Sequence, residues 1–229
     1  PAPRYYHASS GVRTITGNTM FNLLKIELGA LGSFFKRNYV ELVIICAAML
    51  FLTLDEYNPI SPRWLGAFFY FAVLPILTII IFLRKNPREF GFRLGNWKVW
   101  SFHVLVTILI GIPVLYFSSR SSILEGYYTI DQFNLLIYSL ETIVYMFAWE
   151  FLFRGFLLFG LKEKLKEMSV LVQMIPFILL HFGKPEIETI STIFMGLYLG
   201  YIVYRGNSFW PALIIHLFIN ISFRAIVNL

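Results

Sequence analysis

Seven apolar stretches recur along the chain, at about 38–54, 65–83, 99–118, 133–160, 168–182, 188–204 and 208–226, separated by short polar connections. A bilayer's hydrocarbon takes roughly 17–25 residues of helix to cross, so each stretch reads as a transmembrane helix, the fifth being the shortest. Residues 20–35 (MFNLLKIELGALGSFF) place Lys25 and Glu27 in a segment too brief to span, which predicts an amphipathic helix lying along the interface. The pattern therefore predicts an all-α, polytopic transmembrane helix bundle of about seven spans plus an N-terminal interfacial helix. The expected organisation is a leader and interfacial helix at 1–37, three transmembrane helices in 38–132, and a four-helix core in 133–229 forming one domain with them.

Composition agrees with membrane residence: 58% of the 229 residues are hydrophobic, 18% aromatic and 14% charged, far from the balance of soluble domains. The single cysteine, Cys46, excludes an internal disulfide and a multi-cysteine metal site. The net charge of +6 comes from basic residues flanking apolar segments. They read as topology signals, and the chain is not expected to bind nucleic acid. With seven crossings, fourteen Lys and Arg fall on the N-terminal side (Arg4, Arg13, Lys25, Lys36, Arg37, Arg84, Lys85, Arg88, Arg93, Lys98, Lys162, Lys164, Lys166, Arg205) and four opposite (Arg63, Arg120, Lys184, Arg224). This predicts a cytoplasmic N-terminus and a C-terminus on the other side. Residues 1–19 lack an apolar run of signal-peptide length, and Met20 is a candidate natural start with a leader before it.

Charged and polar groups are expensive inside hydrocarbon, so those within the spans need a partner or a purpose. Glu150 and Arg154 stand at i and i+4 in the fourth stretch, on one helix face. An ion pair that merely locks helices accounts for this pair alone as well as catalysis does. His181 ends the fifth stretch one turn beyond Pro176, which removes a backbone donor and kinks the helix. A lone histidine there is more often a hydrogen-bonded packing residue. His216 and Asn220, again i and i+4, aim an imidazole and an amide to one side of the seventh stretch. At 1.5 Å per residue, Glu150, His181 and His216 lie about 15, 20 and 12 Å from the cytoplasmic helix ends. Independent packing residues have no reason to agree in depth, so one shared polar pocket is expected, open more easily to the cytoplasmic half. Glu41, Glu141 and His103 sit near helix ends or an aromatic belt and are left outside the site, and the basic stretch 86–94 reads as a headgroup-binding loop.

A glutamate with two histidines suits hydrolysis, either with a divalent metal bound by His181, His216 and Glu150 or with a carboxylate as direct base; Asn220 can donate to a developing oxyanion. The sequence leaves the metal and direct-base versions open. In order and spacing, WEFLFR at 149–154, Phe177 to His181 and His216 to Asn220 resemble the EExxxR, FxxxH and HxxxN motifs of the CPBP family. These are the CAAX protease and bacteriocin-processing (Abi) intramembrane metalloproteases. The stretches HFGKPEIE at 181–188, GLYLGYIVYRGNSFWPALIIH at 196–216 and GFRLGNW at 91–97 add to the resemblance, which covers roughly residues 85 to 226.

The resemblance implies an endopeptidase that cleaves a membrane-tethered or prenylated peptide or protein at the lipid bilayer. Glu150, Arg154, His181, His216 and Asn220 would be its catalytic residues, and a divalent ion, zinc as first choice, its cofactor. One position departs from the pattern: the family's first glutamate is Trp149 here. Adjacent helical positions point about 100° apart, so Glu150 takes over that role only through a rotation or a local bulge. The alternative is a catalytically impaired relative that acts as a membrane peptide-binding, immunity or scaffold protein. A proton-coupled carrier would use the same buried groups, but no broken-helix repeat pair is evident.

Overall fold

A computed structural model describes residues 17–229; the proposed leader up to residue 16, with Arg4 and Arg13, lies outside them. The described residues form helices and connecting loops without strands. The helices are α1 (Gly17–Arg37), α2 (Tyr39–Tyr57), α3 (Arg63–Phe82), α4 (Trp97–Ser118), α5 (Ser122–Tyr128), α6 (Leu135–Leu165), α7 (Met168–Leu179), α8 (Glu186–Gly206) and α9 (Trp210–Asn228). Two compact units divide at Tyr39 and Val40. In the first, α1 exposes Leu24, Leu28, Leu31 and Phe35, an apolar stripe at helical spacing.

The second unit, Val40–Leu229, is built around α6. Phe151, Leu152, Phe153, Phe156, Leu158 and Leu161 have no exposed surface, so α6 is apolar all round, as expected of a helix enclosed by others. It packs against α3, α7 and α9, and α8 packs against α4, α7 and α9. Close approach of α7 and α8 depends on glycine: a Cβ at Gly200 would stand 2.7 Å from Gln173 Nε2 and 2.8 Å from Val170 Cγ1. Gln173 is fully buried and donates to the carbonyls of Val170 and Gly196 at 2.9 and 3.2 Å. Small residues and a buried amide of this kind hold helices together where lipid supplies no hydrophobic drive.

Two helices widen locally from α to π. In α3 Pro75 has no N–H to give Phe71, and the ladder shifts so that the Leu74 N–H reaches the Phe69 carbonyl. In α6 the π turn covers Phe151–Leu157, directly after Glu150. The ring of Phe151 occupies the space that a Cβ on Gly155 would take. A local bulge thus begins immediately after Glu150.

All seven apolar stretches are helical, but five helices are long and apolar enough to cross a membrane on their own: α3, α4, α6, α8 and α9. Two of the seven stretches miss this length and apolarity, for physical reasons. The fifth stretch ends as helix at Leu179 after 12 residues, about 18 Å of rise, with His181 in the turn beyond it. In α2 Glu41, Asp55 and Glu56 lower the apolarity, so it does not meet the standard by itself. The segments nevertheless alternate between two ends of the bundle. Lys85 with Glu163, Lys164 with Glu41, and Arg93 with Asn207 meet at one end. Arg63 with Asp55, Tyr128 with Glu188, and Ile130 with Asn228 meet at the other. The protein is an integral membrane protein.

Candidate active site

Glu150 and Arg154 are both fully buried in α6. Their ion pair, Arg154 Nη1 to Glu150 Oε1 at 3.2 Å, joins one turn of the widened helix. The same carboxylate oxygen accepts from His216 Nδ1 of α9 at 2.6 Å. Glu150 therefore faces both partners at once. The arginine Nε and Nη2 atoms have no hydrogen-bond partner. Instead its guanidinium lies over the Phe177 ring, 3.9 Å from the centroid, a contact that strengthens where water is excluded.

Phe177 ties the remaining histidine to this pair. Its ring is 4.8 Å from that of His181 and 6.1 Å from that of His216, and its carbonyl lies 2.8 Å from His181 Nδ1. A carbonyl only accepts, so His181 Nδ1 donates, and the neutral ring keeps its lone pair on Nε2. His216 likewise commits Nδ1, to the Glu150 carboxylate, so Nε2 is the ring nitrogen left for chemistry. Asn220, one turn along α9, donates through Nδ2 to the His216 carbonyl at 2.9 Å and reaches Met146 Sδ at 4.0 Å. All five residues singled out in the sequence thus fall in one region, with Glu150, Arg154 and His216 in direct contact.

Trp149 points elsewhere. Only 8% exposed, it packs against Phe71, Tyr145 and Phe153 with ring centroids 5.7, 5.5 and 5.5 Å away, and its indole N–H has no partner. Where the related motif has a second carboxylate, this chain has an aromatic cluster.

The expected metal ligands, His181, His216 and Glu150, are not arranged as a set. Among the described residues no group of three or more His, Cys, Asp or Glu side chains could hold a metal ion. Glu150 Oε1 is engaged by His216 and Arg154, and Oε2 is buried without a hydrogen-bond partner. Both imidazoles offer Nε2, and a catalytic metal ordinarily has three protein ligands.

A cleft of about 480 Å³ meets this region at Asn220 and Met146. It is lined by Arg63, Tyr128, Tyr145, Lys184 and Arg224 among others, so it opens at the end of the bundle opposite Lys162. The approach expected from the more basic half is thus found at the other end of the bundle. Tyr128, the Lys184–Glu188 pair and Arg224 form its rim: Tyr128 donates to Glu188, Glu188 pairs with Lys184 at 2.7 Å, and Arg224 donates to the Tyr128 carbonyl. Burial and the adjacent carboxylate hold the Tyr128 phenol well above its ordinary pKa. Sequence reasoning named none of these rim contacts, which join residues up to 96 positions apart.

Residues 131–222 match the family described as type II CAAX prenyl endopeptidase, Rce1-like. The match contains Glu150, Arg154, His181, His216 and Asn220, and it is consistent with the CPBP resemblance of the motifs. No curated protein and no solved structure matches the chain.

Proposed function

We propose that this protein is an intramembrane endopeptidase that hydrolyses a peptide bond in a prenylated or otherwise membrane-tethered substrate, with Glu150 and His216 as a carboxylate–imidazole pair. The observation that carries this reading is the 2.6 Å bond from His216 Nδ1 to Glu150 Oε1 inside the segment that matches the prenyl endopeptidases. A buried carboxylate on Nδ1 fixes the tautomer and stabilises the imidazolium that forms when Nε2 takes a proton. His216 Nε2 removes a proton from water as that water attacks the scissile carbonyl carbon, and returns it to the leaving amine. Arg154, 3.2 Å from Glu150 Oε1, offsets the buried negative charge of the carboxylate. Asn220 turns the Nδ2 N–H that weakly meets Met146 Sδ toward the tetrahedral oxyanion and donates to it. His181, its ring held through Nδ1, orients the water through Nε2. The prenyl chain stays in lipid while the peptide reaches Asn220 through the cleft. The charge balance of the loops supports a cytoplasmic N-terminus and an opposite C-terminus.

The impaired-relative reading draws on Trp149. Protein reconstituted in vesicles with a farnesylated peptide and its unprenylated counterpart separates the two. Cleavage of the farnesylated peptide, persisting after chelation and in Trp149→Phe, is expected. Binding without turnover, with cleavage appearing only in Trp149→Glu, would establish the impaired relative instead. Loss of cleavage on chelation, restored by zinc, would contradict the direct-base chemistry.

A further inference from the structure

At the end of the bundle away from the cleft, a second cavity of about 460 Å³ lies between the 85–93 loop, the end of α6 and the turn after α8. Four cations line it, Lys85, Arg93, Lys162 and Lys166, against two carboxylates, Glu89 and Glu163. The carboxylates do little to neutralise it. Glu163 is almost fully exposed and pairs loosely with Lys85 at 3.7 Å, while Glu89 turns back to the Asn86 N–H. Among the described residues no carboxylate comes within ion-pair distance of Arg93, Lys162 or Lys166.

Two of these cations converge on one neutral side chain. Arg93 Nη2 donates to Asn207 Oδ1 at 2.5 Å and its Nε to the Asn207 carbonyl at 3.1 Å. Lys162 Nζ donates to the same Oδ1 at 3.3 Å and to the Tyr204 carbonyl at 2.8 Å. Its ammonium also stands 4.2 Å from the Tyr204 ring and 5.2 Å from the Phe159 ring. Like charges sharing an amide oxygen leave a positive field that an anion would relieve. The arrangement is fixed by backbone: Asn207 caps α8 with φ 54°, and the Asn96 N–H donates to the Gly206 carbonyl at 2.7 Å. Trp97, half exposed, and Trp100, which donates to the Leu94 carbonyl at 2.8 Å, begin α4 beside it. Tryptophans at helix ends mark the headgroup level of a bilayer.

We infer that this cavity binds the phosphate of an anionic lipid headgroup, held by Arg93, Lys162 and Lys166. A phosphodiester offers several acceptor oxygens to the remaining donors of Arg93 and Lys162, and its acyl chains lie along α4, where Leu105 and Leu109 are exposed. A choline headgroup carries a cation into the same field and is disfavoured.

The test is native mass spectrometry of the full chain released from micelles doped equally with phosphatidylglycerol and phosphatidylcholine. The wild-type protein retains phosphatidylglycerol selectively. Each basic contact near the surface is worth on the order of 1 kcal/mol, so Arg93→Gln with Lys162→Gln lowers retention about tenfold or more. Lys166→Gln, which leaves the Asn207 bonds intact, lowers it severalfold, and Arg120→Gln at the other end leaves it unchanged. Equal retention of both lipids, or pocket variants that hold phosphatidylglycerol like wild type, overturns the inference. Glycerol 3-phosphate in solution displacing the lipid at equal concentration would assign the pocket to a soluble phosphate and overturn the lipid source.

Discussion

Glu150 carries two interactions on one oxygen, and their consequences differ. Removing the carboxylate strands Arg154, whose fully buried guanidinium would keep only the Phe177 face. Leaving one member of a buried ion pair alone costs about 3–5 kcal/mol, so Glu150→Leu lowers the unfolding temperature in detergent sharply. Glu150→Leu with Arg154→Leu recovers most of that loss, and a double variant as unstable as the single one would contradict the pairing. Glu150→Gln isolates the other role: an amide cannot stabilise the imidazolium, so turnover falls while binding of a prenylated peptide persists. The i,i+4 spacings made these residues legible in the sequence. The stack of Arg154 on Phe177 was not legible, because it depends on where α7 packs.

α7 shapes the site from outside the chemistry. It is a helix of 12 residues, and its contact with α8 runs over Gly196 and Gly200. Gly200→Ala would drive its methyl into Gln173 and Val170. Overpacking of this kind costs about 1–3 kcal/mol and shifts Phe177 together with the His181 bound to its carbonyl. A lower unfolding temperature with reduced turnover is expected; unchanged values for both would show that α7 is not held by this contact. Apolar periodicity located every long helix, since hydrocarbon demands an uninterrupted run. It overstated the fifth, because Phe182 and its neighbours are apolar without continuing the helix. It also missed α5, whose seven residues between spans carry no membrane signal, although Tyr128 within it helps to build the rim.

Across the whole molecule, the basic residues gather at the end opposite the cleft, as the alternating spans require. The loops that carry them come together around Asn207, whereas the cleft at the other end approaches Asn220. This separation places the proposed headgroup cavity and the proposed peptide cleft at opposite ends of the bundle. The distance between Glu150 and His216, 66 positions apart, could be anticipated from similar depths but not read as a contact.

The most direct measurement is turnover of a farnesylated peptide by vesicle-reconstituted wild type and His216→Ala, with peptide binding measured in parallel. Removing a general base costs about 10²–10⁴-fold in rate, so the account predicts cleavage by the wild type and a loss of that size in His216→Ala with binding retained. Equal cleavage by both would contradict it.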